Sequence, residues 1–444
     1  MREKSIKLGV AFLALGYFAY TTQIEMCLAI LLLYLINYTS LRVLFKVNSK
    51  SIFFFDLFFV IYGALTLFTH MHLILNPLDD FFVHNDSAWS FYYNTINRGL
   101  PLKWNELTSE ILFSIAYADY AIPSYIFTII AKLGVMFGII NLRLLLRAHI
   151  FSFIAMIPAL MANLLKRYNL NSKVYEQSII VFCLCTYLYI TSAIFTRDSY
   201  VAFSYFLAAY VVLLPQCRMR LFKFALIFVL ALGSRPENGL LVLVYFGGYY
   251  IAKAENKNSS LLFVILIGVC VALFFALGSL VETALDTVAR YNDRAAEENT
   301  GGVFSRLYSL PFPLNLFIMV IYMLIMPLPI DYYITYDGGS ILTLPFVLSP
   351  YLMSLLFISV LWFIFKKFKV NTNVSILILM SIVAFCAITQ GSPDLRRAYA
   401  PIPGLYLAYL LIREHIPKSI NQFCRVIIWP MILLINVVFF IYLH

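Results

Sequence analysis

The segment from Ile52 to Leu75 reads IFFFDLFFVIYGALTLFTHMHLIL, an unbroken apolar run whose one acidic residue, Asp56, lies near its start. A bilayer span needs about 20 predominantly apolar residues, so this stretch predicts a transmembrane helix. Barrel strands alternate apolar and polar residues; the continuity of the run excludes them. The rest of the chain agrees. Of 444 residues, 62% are hydrophobic and 12% charged, with a mean hydropathy of +0.87. A soluble domain carries about 25% charged residues, and no soluble fold of this size hides so much apolar surface. The expected fold is therefore an all-α, polytopic membrane protein.

Outward from that segment, spans are expected near Lys7–Thr22, Ile24–Phe45, Ile52–Leu75, Leu146–Leu165, Glu176–Thr196, Tyr200–Leu214, Leu221–Leu232, Gly239–Ile251, Ser260–Leu280, Leu344–Phe365, Val374–Gln390, Tyr399–Leu411 and Val426–Leu443, about 13 in all. Two more apolar stretches, Ile122–Ile140 and Leu314–Ile330, read as re-entrant or interfacial. Charge decides this. With both excluded, one side of the membrane receives Lys4, Lys7, Arg42, Lys46, Lys50, Lys166, Arg167, Lys173, Lys253, Lys366, Lys367, Arg413 and Arg425. Cytoplasmic loops are enriched in Lys and Arg, so that side is expected to be the cytoplasm of a bacterial inner membrane. Counting Ile122–Ile140 as a full span would turn the middle of the chain inside out.

The chain then reads as a single transmembrane domain over 1–444, with two long outer loops at 76–145 and 281–343. The first residues, Met1-Arg2-Glu3-Lys4, resemble a signal peptide's charged start, but no small-residue cleavage site follows, so a retained helix is expected. The seven cysteines fall in apolar runs or at their basic ends and are given structural roles. The net charge of +10 sits at helix ends, where membrane topology accounts for it; nucleic acid is not an expected partner.

Polar chemistry is expected on the outer face. Asp86 opens a segment, Asp86-Ser87-Ala88-Trp89-Ser90-Phe91-Tyr92-Tyr93, that reads as a helix start with aromatic residues along one face and Gly99 at its end. Asp86 suits an N-cap; the same carboxylate, held at the membrane surface, can take a proton from a hydroxyl. His84 with Asp79, Asp80 and Asp86 could ligate a divalent metal, although the spacing fits no firm metal motif, and no cofactor is otherwise implied. Arg143, Arg147, Arg197, Arg235, Arg396 and Arg397 stand near outer helix ends. Each alone can snorkel or pair with an acid; as a set they suit a phosphate, which guanidinium groups hold bidentately. Asp331 and Tyr332, with His84, Trp89 and Tyr93, supply the carboxylates and aromatic faces that sugars bind.

This layout resembles the C-type (GT-C) membrane glycosyltransferases. Their long first outer loop begins with an acidic residue followed by an aromatic amphipathic helix, as at Asp86–Gly99 here. Pro123-Ser124-Tyr125 with Arg143 or Arg147, the turn Arg235-Pro236-Glu237-Asn238-Gly239 and the segment Arg396-Arg397-Ala398-Tyr399-Ala400-Pro401 are similar to later family features. Many members pair two acids where Ser87 follows Asp86 here. The resemblance implies an inverting transfer from a polyprenyl-phosphate sugar donor to a glycan or lipid-linked acceptor. It puts Asp86 at the catalytic position and Arg235, Arg396 and Arg397 against the phosphate. Polysaccharide polymerases of the O-antigen class are similar in size and outer arginines, and Arg290 to Gly301 matches their arginine-to-glycine spacing. The reading from another class is a lipid or solute transporter, for which Asp56 would be the main intramembrane acid.

Overall fold

The computed structural model describes residues 2–75, 121–170, 172–193, 198–215, 217–253, 314–325, 348–366, 372–391 and 398–443. Among them every regular element is helical. In chain order the helices are α1 (Arg2–Thr21), α2 (Ile24–Val43), α3 (Ser49–Leu75), α4 (Ala121–Met136), α5 (Leu142–Ile154), α6 (Met156–Arg167), α7 (Lys173–Cys185) and α8 (Tyr187–Ala193). Then follow α9 (Asp198–Leu213), α10 (Arg220–Ser234), α11 (Pro236–Lys253), α12 (Leu314–Ile325), α13 (Ser349–Phe365), α14 (Thr372–Gly391), α15 (Ile402–Ile412), α16 (Lys418–Phe423) and α17 (Trp429–Leu443). The expected span Ser260–Leu280 lies outside the described residues; the described part of each of the others falls on a helix or a pair of helices.

Among the described residues, five helical stretches are long and apolar enough to cross a membrane: Ile24–Val43, Ser49–Met71, Leu142–Arg167, Thr372–Thr389 and Lys418–Val438. The bent pair α7–α8 makes a sixth if counted as one span. Side-chain distribution supports lipid as the surrounding medium. Helix α1 buries Val10, Leu13, Ala14 and Tyr17, yet exposes Leu8, Phe12, Leu15 and Phe18. On α2, Leu28, Leu32, Leu35 and Ile36 are likewise exposed. A helix apolar on every side is a buried or membrane-spanning one.

The chain forms two compact units. The first contains α1–α3 and nearly all of α4–α8. Its frame is the antiparallel pair of α3 with the near-continuous α5–α6 rod. Asn48 Nδ2 donates to Asn163 Oδ1 at 2.8 Å at one end of that pair, and Asn141 Nδ2 lies 3.1 Å from His70 Nε2 at the other. Between them Phe59 meets Phe151 edge-on, 5.0 Å between ring centres. Helix α2 is tied to α5 where Asn37 Nδ2 donates to Ser152 Oγ at 3.0 Å. Asp56 Oδ1 accepts from the Tyr34 hydroxyl at 2.9 Å and joins α3 to α2. At Ala155 the α5–α6 rod is interrupted because Pro158 has no N–H to offer the Ile154 carbonyl.

The span expected at Glu176–Thr196 is not straight. Thr186 is extended, and α7 and α8 meet there at 58°. Non-helical backbone at membrane depth survives only where its polar groups find partners. Here the Thr186 hydroxyl donates to the Phe182 carbonyl at 2.7 Å, and the Tyr62 hydroxyl donates to the Cys183 carbonyl at 2.9 Å. The apolar stretch Ile122–Ile140 becomes α4, which turns at Gly138 (φ +77°) and folds back on α5, with Phe127 beside His149 and Gly134 beside Leu142 and Leu145. Cys183 and Cys185 are buried and free, as is Cys424.

The second unit is built on the α10–α11 hairpin. Phe224 packs on Phe246, 4.0 Å between ring centres, and Arg220 lies over the Tyr249 ring at 4.5 Å. The hairpin is tight: a Cβ on Gly239 would lie 2.7 Å from the Leu232 Cα. The Tyr245 hydroxyl donates to Ser381 Oγ of α14 at 3.0 Å, and a Cβ on Gly404 of α15 would lie 2.8 Å from the Ala209 Cβ of α9. These close approaches bring α9, α11, α14 and α15 into one packed group.

Candidate functional site

A group of polar side chains in the first unit gathers at the end where Asn141 meets His70. Lys50, Lys166 and Lys173 stand at the opposite end, beside the Asn48–Asn163 contact. Helix α5 begins at Leu142 because Asn141 caps it, its Oδ1 accepting from the Leu144 N–H at 3.1 Å. That start is earlier than the expected Leu146, and it brings Arg143 into the same helix as Arg147. They lie one turn apart on one face. Arg143 is half-buried; Arg147 is fully buried, with 0% of its surface exposed.

His70 of α3 completes the group. It is buried, stands edge-on to Tyr20 of α1, and lies within the electrostatic reach of both Arg143 and Arg147. Its tautomer follows from the hydrogen bonds. The Asn141 carbonyl oxygen is committed to the Leu144 N–H, so the amide nitrogen faces His70. An amide nitrogen only donates, so His70 Nε2 accepts and the ring proton sits on Nδ1. That Nδ1 is buried and has no hydrogen-bond partner among the described residues. Gln23, in the α1–α2 turn, accepts from the Ile140 N–H at 3.2 Å and pins the α4–α5 turn over the same end. Tyr17, also within the field of Arg147, donates to the Gly63 carbonyl at 2.9 Å.

Two guanidinium groups and one N–H donor at the end of an apolar bundle are chemistry of the kind an anion requires. Ionisable groups inside membrane spans are expensive and mark ligand or ion sites by default. A buried donor without a partner is equally uncommon and calls for an explanation.

Of the residues singled out from sequence, Arg143 and Arg147 therefore share this site. Arg235 belongs to the second unit. It closes α10 with an extended backbone, is buried, and its carbonyl accepts from the Asn238 and Gly239 N–H groups at 3.0 and 3.1 Å. Asn238 in turn accepts from Tyr205 at 3.0 Å, so this turn is a packed element of the bundle. Asp86, His84, Trp89, Tyr93, Arg197, Asp331, Tyr332, Arg396 and Arg397 lie outside the described residues, as do Asp79 and Asp80. Among the described residues no group of three His, Cys, Asp or Glu side chains is placed to hold a metal ion. His70 and Asn141 are the site residues that sequence reasoning misses. The available signal is a histidine inside an apolar span, which a charge count restricted to Lys, Arg, Asp and Glu passes over.

No family model, no curated protein and no solved structure matches this chain.

Proposed function

We propose that the protein is an inverting membrane glycosyltransferase that uses a polyprenyl-phosphate sugar donor on the outer face of a bacterial inner membrane. The observation that carries this reading is the cluster of Arg143, buried Arg147 and the Nδ1–H of His70 at the end of the bundle away from the lysines. The lysine-rich end is assigned to the cytoplasm, so the cluster faces outward. A donor whose charged head is a phosphate and whose tail is a polyprenyl chain fits a cationic site at the end of lipid-facing helices. It also needs no nucleotide-binding fold.

In this reading the acceptor hydroxyl attacks the anomeric carbon as the bond from that carbon to the phosphate oxygen breaks. The phosphate leaves with the bonding electrons, and its charge is stabilised by fixed cations and N–H donors. Arg143 is half-buried, His70 and Arg147 are buried, and the two guanidinium groups hold the local potential positive. Asp86 takes the hydroxyl proton. The donor contacts read from sequence, Arg235, Arg396 and Arg397, stand as a separate proposal, as do about 13 spans for the topology and the GT-C family for the relationship. The test is sugar transfer from membranes charged with a polyprenyl-phosphate sugar. Arg147→Gln and Asp86→Asn proteins, inserted at wild-type levels, should each lose transfer about 10²-fold or more. Full transfer by both would sink the proposal.

One observation favours the transporter reading: the span broken at Thr186, since transporters build their sites on discontinuous helices. The carbonyls next to this break are already taken by Thr186 and Tyr62. A structural bend accounts for it more directly than an ion site. Lipid or solute flux in proteoliposomes without any glycan product would reverse that order.

A further inference from the structure

We infer that the lysine-rich end of the first unit carries a binding cleft for the phosphodiester headgroup of an anionic phospholipid. The cleft is a shallow, solvent-open groove between the start of α3, the end of α6 and the start of α7. Its floor is apolar, formed by Phe54, Leu165 and Ile179, all buried. Its cations come from two helices, Lys50 of α3 and Lys166 of α6.

Lys166 is held in position. Its ammonium donates to Asn48 Oδ1 at 3.3 Å. Asn48 is itself fixed on both sides: its Oδ1 accepts from the Ser51 N–H at 3.1 Å, and its Nδ2 donates to Asn163 Oδ1 at 2.8 Å. A pre-positioned cation loses less freedom on binding an anion. Lys50 is exposed and makes no hydrogen bond or ion pair among the described residues. The third wall is the start of α7, whose positive dipole end favours an anion and where Ser172 makes no side-chain cap. Glu176 is the opposing charge on this lining. With two lysines against one glutamate, the cleft is net cationic.

Depth selects the ligand. Asn48 and Asn163 mark this end of the α3 and α5–α6 pair, and His70 and Asn141 mark the other, 22 residues along each chain. At about 1.5 Å per residue the two ends are about 33 Å apart, close to the hydrocarbon thickness of a bilayer. The cleft therefore sits at the level of lipid phosphates. Basic pockets between transmembrane helices at this depth bind anionic headgroups. The inference is independent of the glycosyl-transfer reading, whose site lies at the opposite end.

The test uses the full chain in nanodiscs, with lipid retention read by native mass spectrometry and melting temperature read in detergent. Wild-type protein should retain phosphatidylglycerol over phosphatidylcholine and melt higher when phosphatidylglycerol is added. The Lys50→Gln/Lys166→Gln protein should lose about tenfold or more of that retention, while its melting temperature without added lipid stays unchanged and shows that it folds. Arg167→Gln, a basic residue at the same end but outside the cleft, should retain phosphatidylglycerol normally. Equal loss from Arg167→Gln would mean a general charge effect and overturn the site. Equal stabilisation by inorganic phosphate alone would overturn the assignment to lipid.

Discussion

Asn141 Nδ2 and His70 Nε2 meet at 3.1 Å, and this contact sets the protonation of the histidine. The asparagine bonds α5 through its oxygen and α3 through its nitrogen, so one side chain caps a helix and orients a ring on its neighbour. The ring's remaining N–H is left at the site beside Arg143 and Arg147.

Asn141→Asp separates these two duties. Aspartate caps a helix as well as asparagine does, so the melting temperature in detergent should change little. It cannot donate to Nε2, so His70 turns its proton toward the new carboxylate and Nδ1 becomes an acceptor. Polyprenyl phosphate binding should weaken about tenfold, the loss of one charge-assisted hydrogen bond. Asn141→Ala should weaken binding and also lose about 0.5–2 kcal/mol of stability with the cap. Unchanged binding by a folded Asn141→Asp protein would remove His70 from the site.

The break at Thr186 makes its own prediction. Tyr62→Phe leaves the Cys183 carbonyl without its hydroxyl partner in a dry setting. The expected loss is about 1–3 kcal/mol, measured by unfolding in mixed micelles. Tyr189→Phe, at the far side of the same ring contact, serves as the control. It keeps the hydrogen bond to Cys183 and should lose less.

Two glycines should respond differently to alanine. A Cβ on Gly63 would run into Leu13 and lie 3.1 Å from Phe151, where α1, α3 and α5 meet. Gly63→Ala should destabilise by about 1–3 kcal/mol through overpacking, and Leu13→Val in the same chain should restore part of it. Gly138 has φ +77° with open space around it. Gly138→Ala should lose only about 1–2 kcal/mol from the left-handed backbone, with no relief from any neighbouring substitution. Thermal unfolding of the three proteins checks both statements.

The proposed orientation is tested by reporter fusions. Fusions at Glu106 and Glu297 should report the outer compartment, and one at Lys367 the cytoplasm. A cytoplasmic signal at Glu106 would invert the topology and place the Arg143 and Arg147 site on the wrong face for a polyprenyl-phosphate sugar.

Helix positions are legible in the sequence because length and apolarity alone place a span, as at Ile52–Leu75. The start of α5 is not. Its Leu142–Leu146 stretch contains Arg143, which hydropathy pushes out of a span, whereas the Asn141 cap pulls it in. The bend at Thr186 is hidden because Cys183, Cys185 and Thr186 read as ordinary members of an apolar run; the Thr186 hydroxyl and the tertiary partner Tyr62 together satisfy the carbonyls it frees. Half of the candidate site is legible as arginines near helix ends. The other half, His70 and Asn141, lies 71 residues apart in sequence and is joined only by packing.

The most direct test of a lipid-phosphate site is equilibrium binding of polyprenyl phosphate to the full chain in nanodiscs, comparing wild type with Arg143→Gln/Arg147→Gln. Loss of both guanidinium charges should raise Kd about tenfold or more, while Arg42→Gln, a basic residue at the opposite end, leaves it unchanged. An unchanged Kd in a folded Arg143→Gln/Arg147→Gln protein would contradict the assignment of this cluster as the donor site.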